Sequence, residues 1–345
     1  MLAVWCVTAA AQPVAHTPPP EAQALYDRAR AALPNREALQ DLLDQAIALD
    51  PEYAAAYALK AENYAQAIAA TIAQSTDLSL AQELDHETLA NANKAIALDP
   101  SLPRAYTALG LADRQFWRWP EALAAYGRAY ELSPKDPTAL FNWIWFNAFA
   151  GRFDEAIATA HRQVELYPER ANSYRDLGIA EAYAGKPEPA SAALQECMSK
   201  DPKITICHIY YAFMQIRLDH DDLAAKELEA AEALFGASPT PATISSVAHG
   251  YFRAGRRGDA RRLFGRLEME ESSGVVGAGS WPLGYLAIGD EAQAYRWLDR
   301  AVRKIERHEP DEGFFNLMII KANVVANPIL DEQRFRALRE RIGSL

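Results

Sequence analysis

The sequence has few cysteines, no long apolar run outside its first residues, and no excess of positive charge. Three cysteines among 345 residues are too few for a disulfide framework. Cys197 and Cys207 fall on successive predicted helices, where we expect buried, apolar thiols, with a disulfide between them as the alternative. The net charge of −11 argues against a nucleic-acid surface over most of the molecule, so no direct nucleic-acid binding is expected.

Residues 1–20 contain the one stretch that suggests a membrane or export origin. An apolar run from Leu2 to Ala11 precedes small residues and a proline-rich spacer, as in the second half of a secretory signal or the end of a membrane helix. The stretch lacks a basic start and is too short to span a bilayer, so a truncated or unstructured leader is the alternative. We therefore favour an exported or membrane-associated protein over a cytoplasmic one, with membrane contact only through this leader.

Four prolines mark a constant step along the chain. Pro100, Pro134, Pro168 and Pro202 are each 34 residues apart, and an apolar-periodic run precedes each of them. A period of this length indicates stacked repeats, each of which is one supersecondary unit. The prolines end these units because proline cannot donate the next helical hydrogen bond.

Within 103–134, two successive helices each carry a face of spaced large and small residues. Tyr106, Leu109 and Gly110 share a face of the first helix at spacings of three and four residues. Ala122, Tyr126 and Ala129 repeat the pattern on the second helix, and the copy at 171–202 has Leu177 and Gly178 in the same places. The small residues predict that two antiparallel helices approach each other most closely at Gly110 and Gly178.

This pattern resembles the tetratricopeptide (TPR) repeat. The resemblance implies an all-α fold, a right-handed TPR superhelical solenoid of about eight helix-turn-helix units with a C-terminal capping helix. A TPR array is expected over 21–308, followed by a cap at 309–345 whose last helix turns Phe335 and Leu338 inward and its arginines, including Arg339, outward. The units are expected near 21–51, 53–100, 103–134, 137–168, 171–202, 205–236, 241–271 and 275–307. The second unit has a 15-residue extension that lengthens both of its helices, with Asp77 or Ser79 as an N-cap candidate.

The final stretch NPILDEQRFRALRERIG and the early ALYDRARAAL are similar to TPR arrays attached to bacterial winged-helix transcriptional regulators and adenylate cyclases. That resemblance implies a sensory or regulatory arm of a signalling system. No effector sequence is found before residue 21. The alternative is a dimerisation or spacer module for a missing effector domain, and a homodimer is left open.

The residues that could suggest catalysis are better explained by local structure. Asp219, His220, Asp221 and Asp222 fall at a predicted turn between two helices, where polar residues belong. The glycine-rich stretch 274–284 lacks a phosphate-loop lysine and is expected to loosen the start of unit eight. We therefore predict a non-enzymatic protein with no cofactor and no metal.

Aromatic side chains of one unit indicate a binding groove. Trp143 occupies the packing position of Leu109 and is predicted to be core, whereas Phe141 and Trp145 share the face that lines the concave side of a TPR array. We predict an apolar groove, edged by arginines, that receives an extended or helical peptide. Its residues would be Arg114, Phe141, Trp145, Arg175, Ile179, Ile209 and Phe213. Alternatively, these side chains only pack against neighbouring helices.

A basic island lies in RAGRRGDARRLFGR. It contains Arg253, Arg256, Arg257 and Arg261, and it could contact an acidic partner or an anionic lipid. A solvated helix face is the favoured alternative.

Overall fold

The computed structural model describes residues 16–32, 35–74, 78–236, 239–271 and 276–343, and the predicted leader lies almost wholly outside them. All regular structure in these ranges is helical, which confirms the all-α prediction. Within the described residues, sixteen helices form eight consecutive antiparallel pairs, and a C-terminal region follows them. The helices are α1 (Pro20–Ala31), α2 (Arg36–Leu49), α3 (Ala54–Gln74), α4 (Ser79–Leu98), α5 (Pro103–Gln115), α6 (Trp119–Leu132), α7 (Pro137–Ala150), α8 (Phe153–Leu166), α9 (Ala171–Tyr183), α10 (Pro187–Lys200), α11 (Thr205–Arg217), α12 (Asp221–Ala233), α13 (Pro241–Arg253), α14 (Arg257–Glu271), α15 (Trp281–Ile288), α16 (Glu291–Glu306), α17 (Phe314–Ala322) and α18 (Gln333–Gly343), with a 3₁₀ turn at Pro328–Asp331.

Local sequence sets the ends of the helices, as α7 illustrates. Asp136 is the N-cap, and its carboxylate accepts hydrogen bonds from the backbone N–H groups of Thr138 and Ala139, both at 2.9 Å. Pro137 follows at the first helical position, where its missing N–H costs nothing. Gly151 ends the helix in the left-handed conformation, with φ of 80°.

Glycine sits where the two helices of a pair are closest. A Cβ atom on Gly110 would lie 2.5 Å from the Tyr126 ring, and one on Gly178 would lie 2.6 Å from Cγ of Leu194. No side chain fits in that space, so the prediction of closest approach at these two glycines is confirmed.

The second pair is longer than its neighbours. Helices α3 and α4 have 21 and 20 residues, whereas α5 to α10 have 13 or 14 each. Of the two proposed N-caps of α4, Asp77 lies outside the described residues. Ser79 begins the helix, and Leu78 is the N-cap residue.

A disulfide joins the fifth and sixth pairs, and this corrects the expectation of two separate thiols. Cys197 in the last turn of α10 is bonded to Cys207 in the first turn of α11, with the Cα atoms 6.5 Å apart. Both side chains are fully buried. The turn between these helices is short, so it brings their facing ends within bonding distance.

One continuous core runs from the α6 region to the last helix. It includes Trp143, as predicted, together with Leu317 and Met318 of α17. Phe335 and Leu338 of α18 are buried in it, as the sequence indicates. The outward placement of Arg339 was wrong, because its guanidinium turns in to hydrogen-bond main-chain carbonyls of residues 321 and 330. Within the described ranges, no helix combines the length and apolar character needed to cross a bilayer.

Candidate functional site

From α3 to α15, the first helices of successive pairs contact one another and form one side of the solenoid, which we call the inner face. Residues 308–327, here called the C-terminal segment, lie against this face and include α17. The segment touches residues that precede it by 70 to 192 positions. The segment therefore lies along the inner face of the array and does not only cover the last helix pair.

Aromatic rings fix the start of α17 to the inner face. The ring of Phe314 lies 5.0 Å from that of Trp117 and 5.6 Å from that of Phe149, measured between ring centroids. Phe315 meets the edge of Trp145 at 5.9 Å. The guanidinium of Arg114 lies 5.7 Å from the centre of the Phe314 ring, so this predicted groove residue contacts the segment itself.

The structure brings together three of the predicted groove residues, Phe141, Trp145 and Arg175, and their role in partner binding stays a prediction. The guanidinium of Arg175 lies 5.2 Å from the Phe141 ring and 5.9 Å from the Trp145 ring, at cation–π distance. Trp145 is 6% exposed, whereas Phe141 and Arg175 are half-buried. The accessible part of this cluster is therefore Phe141 and Arg175.

Phe315, which sequence reasoning missed, extends this surface. It is 41% exposed although it touches Trp145 and Phe149. We call Phe141, Arg175 and Phe315 the open patch. Beyond Phe315, a cavity of about 200 Å³ lies between α11, α13 and α17, lined by Ile206, Ile209, Thr243 and Ile319 among others. In the sequence, the adjacent pair Phe314–Phe315 could have indicated this surface. The neighbouring residues do not show which of the two rings stays accessible.

The other predicted groove residues are less accessible. Ile209 lines the cavity and is 6% exposed. Ile179 and Phe213 are buried in the core. Their assignment to partner binding stays a prediction.

Donors on the array reach main-chain carbonyls of the segment. The indole N–H of Trp117 donates to the carbonyl of Glu309 at 3.0 Å, and a guanidinium N–H of Arg217 donates to that of Asn323 at 3.0 Å. Arg253 donates to the carbonyl of Ala326. These bonds recognise a polypeptide backbone regardless of its side chains.

Two asparagines of the segment add side-chain contacts with α13. Asn316 accepts a hydrogen bond from Ser246 and donates one to Ser245, both at 2.6 Å. Asn327 donates to Nε2 of His249 at 2.8 Å. Burial, helped by the nearby Arg253, lowers the pKa of His249 to about 3, so the imidazole is neutral and can accept.

Two acidic residues fix the segment ahead of α17. The Asp311 carboxylate accepts from the backbone N–H groups of Ala278 and Gly279 and from Lys304, at 2.8 to 3.0 Å. Glu312 accepts from the backbone N–H of Ala242 at 2.8 Å, and burial raises its pKa to about 7.

The glycine-rich stretch was expected to loosen unit eight, and the structure shows tight packing instead. A Cβ atom on Gly277 would lie 2.7 Å from an Asp311 carboxylate oxygen, and one on Gly279 would lie 2.8 Å from the Gly313 carbonyl. The glycines are there because the backbone of the C-terminal segment passes directly over them.

The basic island is divided between two surfaces. Arg253 points to the inner face, whereas Arg256 forms ion pairs with Glu229 and Asp259, each at 2.8 Å. Arg257 lies over the Phe252 ring. Arg261 is exposed on α14, and an anionic contact there stays a prediction.

Asp219 and His220 lie in the turn between α11 and α12, as predicted, and Asp219 adopts a left-handed φ of 59°. Asp221 and Asp222 are instead the first two residues of α12. In the part of the chain that the structure describes, no group of three His, Cys, Asp or Glu side chains could hold a metal ion.

No family model and no curated protein sequence matches the chain. Several solved structures are similar to it. A chain of the APC/C hetero-tetramer Cut9–Hcn1 aligns with a TM-score of 0.55 and 14% identity, covering 93% of this chain and 54% of that one. PilW, described as a widely conserved type IV pilus biogenesis factor, aligns with a TM-score of 0.52 and 16% identity over 63% of this chain and 94% of its own.

A third similar structure is that of a thermophilic TPR protein from Thermus thermophilus. It is 22% identical over 59% of this chain and 98% of its own, with a TM-score of 0.44. At these identities the similarity concerns the fold. The fold is an all-α TPR superhelix. The more specific resemblance to arrays of winged-helix regulators and cyclases stays a prediction.

Proposed function

We propose that the protein is a non-enzymatic scaffold that binds a polypeptide on its inner face. The observation that supports this most directly is that the inner face already holds a polypeptide, the chain's own C-terminal segment. It does so with aromatic contacts at Phe314 and with donors to main-chain carbonyls at Glu309, Asn323 and Ala326. Helix-in-groove and backbone recognition are common ways in which proteins bind peptides.

The open patch is where an external polypeptide would first make contact. Its two rings, Phe141 and Phe315, are accessible apolar surface beside the guanidinium of Arg175. The adjoining cavity of about 200 Å³ has a mainly apolar lining. A bulky apolar side chain of the partner would fill it, as anchors at protein interfaces commonly do.

Within this proposal, the scaffold serves as the regulatory arm of a signalling system. The support for this part is the similarity of residues 327–343 to arrays attached to transcriptional regulators and cyclases. The partner is then a polypeptide of that system.

The test is a selection from a displayed peptide library on the full chain, followed by calorimetric titration of the consensus peptide. We expect Phe315→Ala and Phe141→Ala each to weaken binding by about tenfold or more, because each removes an accessible ring. Leu80→Ala, at an exposed apolar side chain on the second helix of its pair, is the matched control and should leave affinity unchanged. Failure to select any peptide, or equal affinity of the two ring variants and the wild type, would contradict the proposal.

A further inference from the structure

We propose that the C-terminal segment is a resident ligand that leaves the inner face as a unit, and so gates access for external polypeptides of the same chemistry. That chemistry is a short apolar helix with an asparagine in its first turn and a second asparagine beyond its end. The inference rests on the proposed function, because it concerns which polypeptides the inner face accepts.

The contacts between segment and array are of the kind made to a ligand. Trp117, Arg217 and Arg253 donate to carbonyl groups of the segment, and Ser245 and Ser246 hold Asn316. The eight helix pairs are already complete at the end of α16. The segment therefore adds to a finished array rather than supplying half of a repeat.

Apolar burial keeps the segment docked. Phe314, Leu317, Met318 and Ile320 are at most 4% exposed. Burial of this surface is the main favourable contribution to docking. An external polypeptide must therefore offer comparable apolar side chains to compete.

Backbone strain opposes docking. Of the five non-glycine residues with positive φ in the described ranges, three belong to the segment: His308 (55°), Asn323 (49°) and Ala326 (54°). This conformation is unfavourable for residues with a Cβ atom, least so for asparagine. Docking contacts hold all three. His308 Nδ1 lies 3.1 Å from the Phe116 carbonyl oxygen, and the carbonyls of Asn323 and Ala326 accept from Arg217 and Arg253. Release of the segment would relieve this strain.

Buried ionisable groups oppose docking as well. The Lys321 ammonium is held by the Phe149 carbonyl at 2.7 Å and lies 5.6 Å from the centre of the Trp119 ring, and burial lowers its pKa. Neither the carbonyl nor the indole ring carries a negative charge that would offset the cost of removing the ammonium from water. Glu312 is also largely buried, which raises its pKa. Strain and desolvation both oppose docking, so we expect the segment to open before the array unfolds.

Native-state hydrogen exchange of the wild-type chain in increasing urea tests the release step without any partner. We expect the amides of α17 to exchange through a partial opening at lower urea than the amides of α7 and α11. Exchange of α17 with the same urea dependence as those helices would overturn the proposal, because the segment would then leave only on global unfolding.

A second experiment uses a fluorescent peptide with the sequence of residues 309–329 as the probe. We expect it to bind the full-length variant Leu317→Ser at least tenfold more tightly than the wild type, because the variant removes a buried apolar contact of the resident segment. A probe with alanine at positions 316 and 327 should bind more weakly. Equal binding of the probe to variant and wild type would overturn the proposal.

If Leu317→Ser fails to fold by circular dichroism, Asn327→Ala replaces it, since that change removes the His249 contact and the cap of the 3₁₀ turn without deleting an apolar side chain. The two proposals fail separately. A partial opening with no selectable peptide would contradict the proposed function, whereas peptide binding without an opening would contradict the gate.

Discussion

The indole N–H of Trp145 donates a 2.8 Å hydrogen bond to the carboxylate of Asp176 on the first helix of the next pair. Asp176 has no exposed surface and also accepts from Arg175 at 2.9 Å and Gln163 at 3.2 Å. Burial raises the pKa of Asp176, and the Arg175 guanidinium opposes that effect. This buried polar cluster links two repeats directly beneath the open patch.

Replacing Asp176 with alanine should destabilise the chain strongly. The change leaves the Trp145 indole and the Arg175 guanidinium without their shared acceptor, at a cost of about 1.5–3 kcal/mol or more. Urea unfolding followed by circular dichroism measures it. Trp145→Phe removes the donor and one ring of the indole but leaves Asp176 paired with Arg175, so it should cost less. Equal stability of Asp176→Ala and wild type would show that the cluster does not support the repeat interface.

The disulfide should be detectable and stabilising. Of the three cysteines, only one thiol should react with Ellman's reagent in unfolded, unreduced protein, and three should react after reduction. Closing a loop with a sequence separation of 10 contributes about 3 kcal/mol in the chain-entropy treatment, so Cys197→Ser should lower stability by a similar amount. Three reactive thiols without reduction would contradict the bond.

Glu312 should make stability fall as pH rises. Its pKa is about 7 in the folded chain against an ordinary value of 4.5, so between these values the folded state holds a proton that the unfolded state has released. The contribution of Glu312 to stability is therefore greatest below about pH 4.5, decreases between pH 4.5 and pH 7, and is constant above pH 7. Asp311, whose partner is Lys304, is the neighbouring carboxylate.

The Glu312→Gln variant isolates that contribution. The difference in urea midpoint between variant and wild type should grow in favour of the variant from pH 5 to pH 7. Parallel pH profiles for the two proteins would show that Glu312 does not titrate in this range.

The glycines at the helix crossings should not tolerate a side chain. Gly110→Ala places a methyl group 2.5 Å from the Tyr126 ring and should cost about 1–3 kcal/mol through overpacking. Gly265→Ala is the matched control in α14, where no atom lies within 4 Å of the added Cβ. It should stabilise the chain by about 1 kcal/mol, because alanine favours the helix interior. Thermal unfolding compares them, and equal effects would contradict the packing assignment.

Much of the array was predictable because its determinants are local and repeated. The spacing of Leu109 and Gly110, the core position of Trp143 and the inward side of Phe335 all follow from helical periodicity. The repeat also placed Phe141, Trp145 and Arg175 on one side. Predicting this arrangement requires only the register of two successive units.

The docking of the C-terminal segment was not predictable in the same way. Its partners, such as Trp117 for the Glu309 carbonyl, are 192 residues away in the chain, and the segment itself does not follow the repeat. The exposure of Phe315 depends on this docking. For the cysteines, spacing allowed a bond, but only the packing of α10 on α11 decides that the sulfurs meet.

The most direct measurement of where a partner binds is the hydrogen-exchange difference between the free chain and the chain saturated with a selected peptide. We expect slower exchange in α7 and α9, which carry Phe141 and Arg175, and no change in α8 and α14. Protection confined to α14, with α7 and α9 unchanged, would contradict binding at the inner face.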